Sequence, residues 1–244
     1  ELLRAARAEP PAWDRLCARR RDAGPGGGRD EGLRGLRIGL VRHFYARDSQ
    51  VDGATQRAIA AAVETLRAAG AEVREIALSP LRDYHAACLV ILLSEAYALY
   101  RQELARPDPP FGENFRDRVR SGALLSAADY VDARRARRSL QGELAAAFAG
   151  CDLLMTAVAP GAAPPLESVP KFAILQGSYL TSPFNVGGGP AIALPAGLSE
   201  ERLPVAFQLA GRPWDDLRLL EAAKAFQALT THHLARPPLA RLAA

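Results

Sequence analysis

Thr181 to Arg212 reads TSPFNVGGGPAIALPAGLSEERLPVAFQLAGR, and the rest of the chain is ordered around it. It opens with a Pro- and Gly-rich turn, Ser182 to Pro190. A short apolar run follows, Ala191 to Ala196, then a polar loop, Leu198 to Leu203. A second run, Val205 to Ala210, alternates: Val205, Phe207 and Leu209 share one face, and Ala206, Gln208 and Ala210 the other. Two strand-like runs joined by a polar loop predict a buried hairpin. The consecutive glycines Gly187, Gly188 and Gly189 let a backbone pass close to another backbone or to a ligand, because no Cβ stands in the way. A tight turn between core elements and a ligand-facing loop are both open on these residues. Gln208 sits on a face of small residues, where a buried amide needs partners. It is expected to hold the glycine turn from the sheet side.

Upstream, Leu36 to Val41 reads as a buried strand. Asp52 can cap a helix whose apolar positions are Ile59, Val63 and Leu66, and Gly70 can close it. Ala71 to Leu78 then alternates as another strand. Strand, helix, strand is a crossover unit, which pairs its strands in parallel and places the chain in the α/β class. Leu81 to Leu104 is a long apolar helix ended by Pro107, Pro109 and Pro110. Phe111 to Gly122 is a short helix. Ser126, with Asp129 three residues on, starts a long one striped by Tyr130, Ala133, Leu140, Leu144 and Phe148. Asp152 to Thr156 is a strand. Gly161 to Pro170 is a loop, and Lys171 to Leu180 is either helix or loop. After the hairpin, Asp215 can cap a last helix, Leu219, Ala223, Phe226 and Leu229 lining one side. Glu1 to Arg21 reads as a short helix and Asp22 to Gly32 as a flexible linker, so two regions are expected, 1–32 and 33–244.

The 244 residues are 49% apolar and 24% charged, with a formal net charge of +4, an ordinary globular balance with material for a sizeable core. The basic run Arg134-Arg135-Ala136-Arg137-Arg138 carries no aromatic, so it reads as a solvated helix face and not as a nucleic-acid surface. No run of about 18 apolar residues occurs, so no membrane span is expected. Cys17, Cys88 and Cys151 are widely spaced, and neither they nor His43, His85, His232 and His233 form a ligand spacing; no metal and no cofactor are expected. Free thiols and no visible leader suggest a reducing, cytoplasmic setting. The chain starts at Glu1 and its one methionine is Met155, which suggests a piece of a longer or processed protein.

Thr181, Pro183, Asn185, Gly188, Pro190, Ala191, Pro195 and Gly197, followed by Leu203, Pro204, Gln208, Gly211, Arg212 and Pro213, form an ordered set. In that order they resemble the second half of the amidase signature family. Ala206, where the family usually has Gly, and Ala157, where it commonly has Pro, depart from the pattern. The resemblance runs from about Gly32 to Pro238. It implies an α/β fold with a mixed central sheet layered with helices, the C-terminal portion of an amidase signature domain. It also implies hydrolysis of carbon–nitrogen amide bonds by a Ser–cis-Ser–Lys triad. No Gly-Gly-Ser-Ser-Gly-Gly-like segment occurs here, and Lys171 and Lys224 match no catalytic lysine position, so no catalytic residue is expected in this chain.

What the resemblance assigns to this half is walls: Thr156, Ser178, Thr181, Phe184 and Asn185 around a small-molecule amide substrate, with Gly187, Gly188, Gly189 and Gln208 as scaffold. Strand-end packing is an equal reading for Thr156 and Thr181, and a backbone cap for Asn185. The expected partner is the missing N-terminal half of the same domain; a homodimer stays open. Two other functions compete. One is the A subunit of a glutamine-dependent tRNA amidotransferase, against which Ser178 stands: these relatives place an aspartate there to hold an ammonium group, and a serine lacks that charge. The other is a non-catalytic binding or scaffold remnant.

Overall fold

The computed structural model describes residues 32–237. The helix and linker expected over residues 1–31 therefore lie outside the described residues, as does Cys17. Of the described residues, those from Leu33 onward form one unit. The strand–helix–strand unit is β1 (Arg37–Leu40), α1 (Gly53–Ala68) and β2 (Glu72–Glu75). Asp52 caps α1 by accepting the Thr55 N–H at 2.7 Å. β1 and β2 pair in parallel, as a crossover requires. Helix α2 (Leu81–Leu104) has the bounds expected, and the shorter α3 (Glu113–Arg120) follows. Helix α4 (Ala127–Gly150) begins with a full capping box between Ser126 and Asp129.

The chain then enters β3 (Leu153–Ala157), short helix α5 (Ser182–Gly187), hairpin β4 (Ala191–Leu198) and β5 (Pro204–Ala210), and helix α6 (Asp216–Ala228). The sheet order is β2-β1-β3-β5-β4. β1 pairs in parallel with β2 and β3, while β5 runs antiparallel to β3 and β4, so the sheet is mixed. α1 and α6 pack on β4 and β5, whereas α2, α4 and α5 pack on one another. The alternation of β5 separates these layers. Phe207 meets Phe226 of α6 edge-on at 5.1 Å, and Gln208, of opposite parity, bonds to Leu180.

Two local expectations need correction. Ser182 to Pro190 is not all turn, because Ser182–Gly187 is helical. Pro183 sits in the first turn, where its missing N–H costs no hydrogen bond, and Gly188 ends the helix at φ 74°. Asp215 does not cap α6 with its side chain. Its carboxylate turns to Arg218 instead, at 3.3 Å.

The β1–β3 register is locked by one residue pair. Asp152 accepts from the Arg37 backbone N–H at 3.0 Å and from its guanidinium at 3.1 and 3.0 Å, while its own N–H donates to the Arg37 carbonyl at 2.8 Å. Arg218 adds a contact at 3.3 Å. The hydrogen bonds from Arg37 hold the Asp152 carboxyl below the usual carboxylate range. A depressed folded-state pKa contributes stability above the unfolded value, about 3.9, and loses it as pH falls through the folded value. Asp152→Asn should therefore weaken the fold at neutral pH, with the difference from wild type shrinking below about pH 4. Urea midpoints measured from pH 7 to pH 3 check this; a difference independent of pH would show that the charge is not what matters.

Candidate functional site

The expected wall residues lie on the elements that meet at the seam where β3 ends, the chain crosses from 158 to 181, and α5 begins. One buried side chain closes this seam. Gln208 is 2% exposed, and its Nε2 donates to the Ala157 carbonyl at 2.7 Å and the Leu180 carbonyl at 2.9 Å. The expectation that it holds the glycine turn is thereby corrected: it ties the end of β3 to the residue before Thr181. Its reach follows from the strand order, since Gln208 pairs with Thr156 across β3–β5.

Thr156 is fully buried, and its Oγ1 donates to the Val41 carbonyl at 3.2 Å, so it packs the sheet and presents no surface to a substrate. Ser178 and Thr181 are half-buried, Asn185 is exposed, and Phe184 is buried. Residues 184 and 185 lie about 100° apart on a helix, so α5 sends them to different neighbours. Asn185 lies beside Cys88 of α2, whose thiol burial raises and Asn185 lowers. Phe184 lines a second feature, a cavity of about 460 Å³ bounded also by Leu144, Phe148, Gly187, Gly189 and Arg212. The five residues therefore do not share one pocket.

The glycines divide likewise. Gly188 supplies the left-handed end of α5. At Gly189 a Cβ would stand 2.3 Å from the Gly211 carbonyl oxygen, so here the close approach is backbone to backbone. Arg212 seals the far side, donating through Nη2 to the Phe148 and Cys151 carbonyls while its guanidinium lies over the Phe148 ring at 5.8 Å.

Sequence reasoning missed the α2 side of the seam. His85 and Cys88, one turn apart, face α5 together. The His85 ring reaches Ser182 Oγ at 3.0 Å and the Ile174 carbonyl at 3.1 Å, and stacks on Tyr179 with centroids 5.4 Å apart. Burial pushes the Cys88 thiol up, so it is not a ready thiolate. The only sequence signal was a polar pair at helical spacing within an apolar helix.

A hydroxyl beside an imidazole is the arrangement of a nucleophile and its base. Ser182, however, is 3% exposed, so its oxygen is closed to a substrate carbonyl. A lysine base needs a lowered pKa. Lys171 goes the other way: its hydrogen bonds to Asp117 and Glu113 raise it. Lys224 is exposed on α6. What the arrangement can do is shape and orient: a tied seam, an apolar cavity and a braced connecting segment.

Comparison with known proteins gives these features a context. The family model described as Amidase matches residues 27–220. The glutamyl-tRNA(Gln) amidotransferase A subunit of Chloroflexus aggregans is 32% identical over 236 residues, covering 86% of this chain and 47% of that protein. An amidase crystal structure matches with a TM-score of 0.69 at 27% identity, over 81% of this chain and 46% of its own. The glutamyl-tRNA(Gln) amidotransferase A subunit of Thermotoga maritima matches with a TM-score of 0.64 at 28% identity, over 80% of this chain and 42% of its own. The chain thus spans about half the length of the curated relatives it matches. Among the described residues no helix is long and apolar enough to cross a membrane.

Proposed function

Because the chain belongs to the amidase family, we propose that it forms the substrate-wall half of an enzyme hydrolysing carbon–nitrogen amide bonds, the other half supplying nucleophile and base. The observation that carries this reading is the combination of a half-length family match with a seam that orients residues but offers no open hydroxyl–base pair among those described. Ser178, Thr181 and Asn185 are the wall residues of this reading, with Phe184 serving the cavity. The partner in this reading is the other half of the same domain, and the edge of the sheet supports it. Among the described residues β4 lies at the edge of the sheet, and on it Ala191 and Ala193, the register partners of Ala210 and Gln208, are exposed. An unpaired, apolar strand edge is a surface for another strand to cover.

A second reading is favoured by the names of the relatives: the A subunit of a glutamine-dependent tRNA amidotransferase. Ser178 counts against it, because a neutral hydroxyl replaces the carboxylate that would hold the ammonium group of glutamine.

The test is complementation. The 244-residue chain alone is expected to hydrolyse no amide or ester above background and to take no fluorophosphonate label. Mixed with the first half of a family relative, it should restore amide hydrolysis, with the label on the other half. Release of ammonia from glutamine alone, together with co-purification of further protein chains, would favour the amidotransferase reading. No gain on mixing would leave a binding or scaffold role. Labelling of this chain that disappears in Ser182→Ala would overturn the proposal by placing the nucleophile here.

A further inference from the structure

The segment from 158 to 181 carries Ser178 and Thr181 and has little regular structure of its own: two 3-10 turns, Leu166–Ser168 and Ala173–Leu175. Its conformation must therefore come from what it rests on. Its start is pinned where the Asp52 N–H donates to the Pro160 carbonyl at 2.8 Å, and beyond that it rests on two side-chain clamps. At its middle, Lys171 Nζ meets Asp117 at 2.8 Å and also Glu113, while Arg118 of α3 donates to the Lys171 carbonyl. These are exposed or half-exposed ion pairs, the kind that contribute little. At its end, a single imidazole meets both Ile174 and Tyr179, while Gln208 holds the Leu180 carbonyl.

The tautomer of that imidazole follows from its partners. A carbonyl oxygen can only accept, so Nε2 must carry the proton that goes to Ile174 at 3.1 Å. In the neutral ring Nδ1 is then the acceptor. It faces two donors, the Ser182 hydroxyl at 3.0 Å and the Tyr179 backbone N–H at 3.4 Å. The Tyr179 ring lies nearly parallel to His85, at an interplanar angle of 17°. One side chain on α2 thus grips the connecting segment on both sides of Ser178 and also holds the first residue of α5. Cys88, one turn further along α2, lies on the same side, where burial raises its thiol and the neighbouring Asn185 and Ser182 lower it.

We propose that His85 is the positioning residue of the substrate wall: as the Nε2–H tautomer it sets the place of Ser178 and Thr181 by latching the segment to α2 and to the start of α5. This rests on the reading of Ser178 and Thr181 as wall residues only for its functional consequence; the latch itself is a property of this chain. A residue needed only for packing would be replaceable by another ring. A latch that works through two distinct nitrogens would not be, and its two halves should be separable.

Hydrogen exchange on the 244-residue chain reads this directly. His85→Ala and His85→Phe are expected to raise exchange of the amides between Ile174 and Ser182 roughly 5- to 30-fold, the factor that follows from losing one or two ordinary hydrogen bonds. Exchange in β1 and β3 should stay as in wild type. His85→Gln keeps a donor at the distance of Nε2 and should protect the Ile174 end alone; His85→Asn keeps an acceptor near Nδ1 and should protect the Tyr179–Ser182 end alone. Lys171→Ala should loosen the middle of the segment and leave both ends protected. Three results overturn the proposal: unchanged exchange in His85→Ala, full protection in His85→Phe, or a rise spread evenly over the sheet. In the complemented enzyme His85→Ala should raise KM more than it lowers kcat. If that split is missing while the exchange pattern holds, the wall reading has failed and the latch has not.

Discussion

Replacing Gln208 with methionine is expected to remove about 2–4 kcal/mol of unfolding free energy, although the volume of the side chain hardly changes. The amide is buried, and its Nε2 serves two main-chain carbonyls, those of Ala157 and Leu180. A thioether cannot donate. Both oxygens would remain in a site that excludes water, each at a cost of about 1–3 kcal/mol when left unpaired. The loss should appear as a lower urea midpoint with an unchanged slope, since the surface exposed on unfolding stays the same. It should also free the amides that follow Leu180, because the tie between β3 and the start of α5 is cut. A midpoint shift worth less than about 0.5 kcal/mol, the size of an ordinary surface change, would mean that the two carbonyls find other donors.

Gly189→Ala should cost about 3 kcal/mol, the upper end of what overpacking does. The new methyl would lie 2.3 Å from the Gly211 oxygen and 3.2 Å from both the Arg212 carbonyl carbon and the Pro213 nitrogen. All three are backbone atoms, so no rotamer change relieves the clash. The β5–α6 connection would have to move, taking Arg212 off the Phe148 and Cys151 carbonyls and opening the cavity beside Phe184. The neighbouring glycines provide the comparison. At Gly188 the penalty is the left-handed φ, about 1–2 kcal/mol. At Gly187 an added methyl meets only the end of the Leu144 side chain, which can shift. Thermal or urea unfolding of the three alanine variants should rank them Gly189, Gly188, Gly187 from most to least damaging. A Gly189→Ala variant as stable as Gly187→Ala would contradict the close backbone passage.

Much of the fold was legible because its signals are local. The span of α2 follows from an apolar run closed by prolines, and the cap of α1 from one aspartate before a helical stripe. The start of α4 follows from a serine and an aspartate at capping spacing. The β4–β5 hairpin follows from alternation on either side of a polar loop. The helix at Ser182–Gly187 was not legible, since proline and glycine in a short window read equally well as turn. It is helical because Pro183 falls in the first turn and Gly188 at the exit, positions that only the backbone path distinguishes.

The candidate site divides in the same way. The sequence by itself determined the family, the α/β class and the residue types of the wall, because these depend on ordered motifs and short-range periodicity. Only the tertiary structure decided which of those residues face one another. The insertion of β5 between β3 and β4 brings Gln208 under Ala157 and Leu180 and not under the glycine turn. Thr156 spends its hydroxyl on Val41, a residue 115 positions away, and the helical pitch of α5 parts Phe184 from Asn185. His85 meets Ser182 across 97 positions. No local pattern encodes such pairs: strand order and helix packing are set by which apolar faces bury together, and side chains distant in sequence find their partners only once that burial has placed them.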